Sequence, residues 1–174
     1  FADQEEVTSV INITGEEGWR FFATPLDLTV INSILDLLWT QGYTGADIEE
    51  GVPNIFIWNE QATDWEAVTN PALIAQPGTG IAMYVFEEDL SELGLDGFPK
   101  TIVLPSTQNN IDVTIGLSLS YSGANNVFDP INDGWNLIGN PYIYPIDWND
   151  SNGWIKSSLD QSYYIWNDSA NEYQ

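Results

Sequence analysis

"IFIWNEQATDW" occupies Ile55–Trp65 and "YYIWNDSANEY" occupies Tyr163–Tyr173. Each runs through apolar and aromatic residues to Trp-Asn-acid, then a small polar turn, then another aromatic. Runs of β-branched and aromatic residues broken by Asn, Asp, Ser and Thr read as strands joined by a turn. Trp58 to Trp65 is a step of seven residues, and so is Trp166 to Tyr173. Ahead of each block stands another matched pair, "GWRFFATP" (Gly18–Pro25) and "GWNLIGNP" (Gly134–Pro141). Two matched blocks in the same order point to an internal duplication. Each half then reads as strand, crossover, Trp strand, turn and strand.

Further strands are expected over Glu6–Thr14, Gly80–Glu88, Lys100–Ser106 and Ile111–Gly123. In the last, Ile111, Val113, Ile115, Leu117 and Leu119 alternate with mostly polar partners, the pattern of a half-buried strand. One segment departs from this. Ile31, Ile34, Leu35 and Leu38 recur at helical spacing between a capping Thr29 and a terminating Gly42, so a short amphipathic helix is expected over about 29–41. The fold class is therefore all-β: a β-sandwich of two related halves, about 1–106 and 107–174, within a single unit 1–174. Trp19, Trp58, Trp135 and Trp166 are expected to anchor its core, because a buried Trp removes roughly 150–250 Å² from water. Pro ends each Gly-Trp strand, having no N–H to give the ladder.

Composition narrows the function. The 174 residues carry 26 Asp+Glu against 3 Lys+Arg, a net charge of −23. Arg20, Lys100 and Lys156 are the only cations. Nucleic-acid binding requires basic stripes and is excluded, and anionic membrane surfaces would repel the chain. Such acidity fits a saline or calcium-rich environment, and it equally fits a secreted protein kept soluble by its surface. No Cys and no His are present, which removes disulfides, thiolate sites, His triads and most zinc sites. No apolar run approaches the ~20 residues of a membrane-spanning helix. The opening "FADQEE" has no Met, which fits a processed exported chain or a fragment.

"GWNLIGNPYIYPIDWND" (Gly134–Asp150) with the later "YYIWND" resembles a module of large secreted proteins of Bacteroidetes and relatives. "GWRFFATP", "LLWTQGYTGAD" and "IFIWNE" look like the first half of the same module, so nearly the whole chain is covered. The resemblance implies an extracellular, β-rich surface or secreted protein of no assigned catalytic activity, of a kind often carrying a type IX secretion sorting domain. It also implies O-glycosylation at Asp-Ser/Thr-apolar motifs, which Asp168–Ser169–Ala170 fits once at Ser169. After Trp65 the first half continues through "PGTGIAMYVFEE", and the second half shows no counterpart before Gln174. That closing strand is expected either beyond Gln174 or from another molecule, the arm Phe1–Val10 of a neighbouring copy being the candidate donor.

Three kinds of site are candidates. Glu60 and Asp168, each after Trp-Asn, could make the carboxylate pair of a glycosidase. Equivalent acids in a repeat are more simply turn residues, and the chain is read as non-enzymatic. Calcium would be held by oxygen-rich loops: Asp129, Asn132 and Asp133, or Asp147, Asn149 and Asp150. A glycan would stack on Tyr142, Tyr144 and Trp148. The expected function is a non-enzymatic extracellular structural or adhesive module, self-associating or contacting neighbouring domains, with filament formation by strand exchange as one route. A carbohydrate-binding module of a secreted enzyme is the alternative.

Overall fold

The computed structural model describes residues 9–23, 35–74, 76–89, 95–104, 114–121, 133–142, 145–159, 163–167, 170 and 172–174. The chain forms two compact units, Phe1–Ile143 and Tyr144–Gln174. "GWNLIGNP" thus belongs to the same unit as "GWRFFATP". Among the described residues the regular elements are mostly strands, paired antiparallel, with almost no helix: the fold is all-β.

In the first unit, β1 (Ser9–Ile13) pairs with β6 (Lys100–Leu104) as a two-stranded ribbon. A second sheet takes β2 (Gly18–Ala23), β3 (Ile55–Asn59), β4 (Asp64–Ala67) and β5 (Gly80–Val85) in the order β2-β5-β3-β4. A short 3₁₀ turn lies at Pro71–Ile74. The central place of β5 follows from "GIAMYV", which is apolar at every position and so tolerates burial on both faces. Its register with β2 and β3 puts Ile81, Met83, Val85 and Ile55 on one face of the sheet. These four are buried with Ile13, Ile102, Leu35, Leu38, Tyr43, Val68 and Ile74, and that cluster is the core of the first unit. The ribbon shows the expected alternation: Ile13 and Ile102 point inward, while Asn12 and Thr101 point outward and share a hydrogen bond.

Several expectations need correction. The helix over 29–41 does not continue past Leu35: Asp36–Leu38 form a turn and Trp39–Thr40 are extended, while 29–34 lie outside the described residues. Tertiary bonds win over helical periodicity here. Thr40 N and Oγ1 both donate to Asp47 at 2.8 and 2.9 Å, and Gln41 N donates to buried Asn54 at 2.9 Å. Residues 114–121, expected as a strand, form no ladder. Instead the Asn136 side chain takes the ladder's role: it accepts from Ser120 N at 3.1 Å and donates to Ser120 O at 3.0 Å. The expected donor arm is, from Ser9 onward, already paired with β6 of its own chain.

The two Trp hairpins share one register. β3 and β4 pair Trp58 with Trp65 and Asn59 with Asp64. In the second unit β7 (Trp166–Asn167) and β8 (Glu172–Tyr173) pair Trp166 with Tyr173 and Asn167 with Glu172, the same register. The turns match too: Asn59 Oδ1 accepts from Ala62 N at 3.1 Å, and Asn167 Oδ1 from Ala170 N at 3.2 Å. The Gly-Trp motifs differ. Trp19 lies inside β2, whereas Trp135 lies in no strand, and its motif meets the backbone ahead of β5 through a bridge from Ile138 to Thr79 and a bond from Gly139 N to Gly78 O at 2.9 Å.

That second motif crosses the sheet at very close range. A Cβ on Gly80 would stand 2.9 Å from the Leu137 carbonyl oxygen, and one on Gly139 would overlap the Ala23 methyl. Gly139→Ala is therefore expected to cost about 1–3 kcal/mol. Ala23→Gly alone should cost about 0.5–1 kcal/mol, because glycine weakens a strand. Urea denaturation of the double variant checks the contact: most of the Gly139→Ala loss should disappear in the Ala23→Gly background, and an unchanged loss would place the clash elsewhere.

An aromatic sheet face as candidate binding site

The other face of the four-stranded sheet is not core. Side chains alternate across a strand, so the register that sends Met83 and Ile55 inward sends Trp19, Phe21, Phe56, Trp58, Trp65 and Tyr84 to the opposite side. Ala82 and Gly80 of β5 lie among them, and their small size lets rings lie down over the middle of the sheet. Two clusters result. Trp19 meets Phe56 and Tyr84 edge-on, both at 5.6 Å between ring centroids. Trp65 stacks with Phe21 at 6.0 Å and meets Trp58 edge-on at 5.4 Å. Such offset and edge-to-face pairs hold rings in fixed orientations.

The face is open. Trp19 is 48% exposed and Trp65 37%. Neither is a core anchor, which corrects the expectation for Trp19, and Trp135, at 45%, departs from it in the same way. Trp58 is half-buried because the second Gly-Trp motif fastens onto it: its Nε1 donates to the Trp135 carbonyl at 2.7 Å. Buried Glu60 does the same work beside it, accepting from Gly134 N at 2.9 Å. Glu60, weighed as a catalytic acid, is thus a fastener between two segments of the first unit.

The other expected sites fall differently. Trp148 is the centre of a small cluster in the second unit, against Trp154 at 4.9 Å and Tyr163 at 5.5 Å. Lys156 Nζ lies 4.2 Å above its ring and donates to its carbonyl, so one ring face is already taken. Tyr142 is half-buried in the first unit, and Tyr144 lies outside the described residues. Asp147 and Asp150 each bend onto their own backbone, accepting from Asn149 N and Asn152 N at 2.9 Å. Asp133 is half-buried, and Asp129, Asn132, Asp168 and Ser169 lie outside the described residues. Among the described residues no three acidic side chains gather as a metal site would require.

Electrostatics isolate the aromatic face further. Each of the three cations serves main-chain carbonyls. Arg20 donates to Trp19 O, Thr14 O and Glu16 O. Fully buried Lys100 donates to Glu87 O at 3.0 Å and to Leu95 O. Lys156 holds Trp148 O. Burial pushes the Lys100 ammonium below its ordinary range, against the opposing pull of Asp89, Asp96 and Glu87. Burial likewise raises the Tyr43 phenol.

Comparison with known proteins finds no matching family, no matching curated relative and no matching solved structure.

Two measurements test these electrostatics. Because folding depresses the Lys100 pKa, the unfolded chain binds more protons as pH approaches the ordinary lysine value of about 10.4, and stability should rise over that approach. Lys100→Met should flatten that gain in pH-dependent urea melts. Above about pH 10 the raised Tyr43 works the other way, since the unfolded phenol ionises first. Separately, the melting temperature should climb with NaCl as screening relieves the self-repulsion of a net charge of −23. A midpoint indifferent to salt would contradict it.

Proposed function

We propose that the chain is a non-enzymatic structural and adhesive module of an extracellular or cell-surface protein, and that it adheres through the aromatic face of its four-stranded sheet. One observation carries this reading. A sheet that buries Met83, Val85 and Ile55 on one side leaves Trp19 and Trp65 half in water on the other. Aromatic rings left partly in water on a sheet face keep apolar area that a ligand can cover. The extracellular setting is supported by the resemblance of the Gly-Trp motifs to modules of secreted proteins, and it suits the acidity of the chain. Two of the three cations, Arg20 and Lys100, tie down loops beside the first-unit strands, which suits a module whose part is to present a surface.

Beads coated with the chain test the proposal under flow. They should cluster with one another or be retained on polysaccharide-coated glass. A coat of the Trp19→Ala, Trp65→Ala variant should lower retention by about tenfold or more, as the loss of a few kcal/mol at a contact does. Wild-type beads that behave like albumin-coated beads on every surface would overturn the adhesive reading.

A further inference from the structure

We infer that the open part of the aromatic face binds a neutral polysaccharide, with Trp19 and Trp65 as the two stacking platforms. This rests on the adhesive reading of the same face and names its ligand class.

Charge removes most alternatives. The face residues Trp19, Phe21, Phe56, Trp65, Tyr84 and Ala82 include no cation and no carboxylate. All three cations of the chain are committed to carbonyls. A uronate or sulfated chain would meet a net charge of −23 with no basic group offered to it at the face. Polyanionic glycans are therefore disfavoured, which leaves the neutral ones.

Size removes the next alternative. The second Gly-Trp motif already covers the end of the sheet that holds Gly80, Ala23 and Trp58. What stays most open is Trp19 at 48% and Trp65 at 37%. With side chains of at most about 250 Å² each, they offer on the order of 200 Å². A stable protein partner needs about 800 Å² on each side. A small apolar plane is enough for a sugar, whose C–H face packs on an aromatic ring while its hydroxyls stay in water.

Geometry supplies the rest. Trp19 is held by edge contacts to Phe56 and Tyr84, and Trp65 by Phe21 and Trp58. Both platforms are therefore rigid before binding, which lowers the ordering cost a ligand must meet. They sit on β2 and β4, the two outer strands of the sheet, with β5 and β3 between. The Trp65 ring reaches across the sheet to stack on Phe21 of β2 at 6.0 Å, and Phe21 stands two residues from Trp19 on the same face, so the two platforms lie along one aromatic strip. One sugar ring covers one platform. An oligosaccharide of several rings covers both and gains from the second contact as an intramolecular event.

The test is titration of the 174-residue chain with cellohexaose, xylohexaose, laminarihexaose and chitohexaose, followed by tryptophan fluorescence and calorimetry. Polygalacturonate and heparin are the anionic controls. At least one neutral hexasaccharide should bind, about tenfold or more tighter than its disaccharide, with an affinity insensitive to NaCl. Trp19→Ala and Trp65→Ala should each weaken it by about tenfold. Trp19→Phe, which keeps a ring, should retain binding. Protection of Trp19 from N-bromosuccinimide by the bound sugar gives a readout on the unmutated chain. Absence of binding to all four hexasaccharides, unchanged affinity in both alanine variants, or preference for the polyanions would overturn the inference. Beads that cluster with one another while no hexasaccharide binds would refute the ligand and leave the adhesive reading standing.

Discussion

Gly139 packs against Ala23 so closely that its missing side chain is itself the contact, and much of the first unit depends on that crossing. A segment from more than a hundred residues downstream lies on the first sheet only because Gly80 and Gly139 remove the atoms that would keep it off. Trp58 and Glu60 then fasten it with bonds of 2.7 and 2.9 Å to the Trp135 carbonyl and the Gly134 amide. The crossing settles two things together. It covers one end of the aromatic face, and it leaves the Trp19 and Trp65 part uncovered.

The same sheet shows how two faces of similar composition come to different ends. One receives the β1–β6 ribbon residues Ile13 and Ile102, the turn at Leu35–Leu38 and Val68, and becomes core. The other receives the Gly134–Asn140 segment near Gly80. Its rings are therefore packed mainly against one another, at 5.4 to 6.0 Å. Aromatic pairs at these distances contribute about 0.5–1.5 kcal/mol each, enough to keep exposed rings in place. Stability and recognition thus draw on the same contacts.

The chain has 26 carboxylates and 3 cations, and each of the three cations donates to backbone carbonyls among the described residues. The reason is geometric: carbonyls from separate positions converge on one point, and a buried ammonium satisfies more than one of them, as Lys100 does with Glu87 and Leu95.

Local chemistry in the sequence determined the strands that became β1, β2, β3, β5 and β6, the all-β class, and the matched hairpins at Trp58–Trp65 and Trp166–Tyr173. Alternation and turn residues act between neighbours, so they are legible one segment at a time. The candidate site was legible only as an unassigned pattern. Trp19 and Phe21, Phe56 and Trp58, and Tyr84 and Phe86 recur with the period of a strand, but Ile55 and Ile57, or Met83 and Val85, fill the alternate positions equally well. With both faces apolar, periodicity cannot say which one the rest of the chain will cover. Past Leu35 the expected helix gives way for a related reason: Asp47 and Asn54 claim the backbone of Thr40 and Gln41 from elsewhere in the chain. Which face stays open, and which backbone is captured, depends on partners distant in sequence, and only the tertiary structure brings those together.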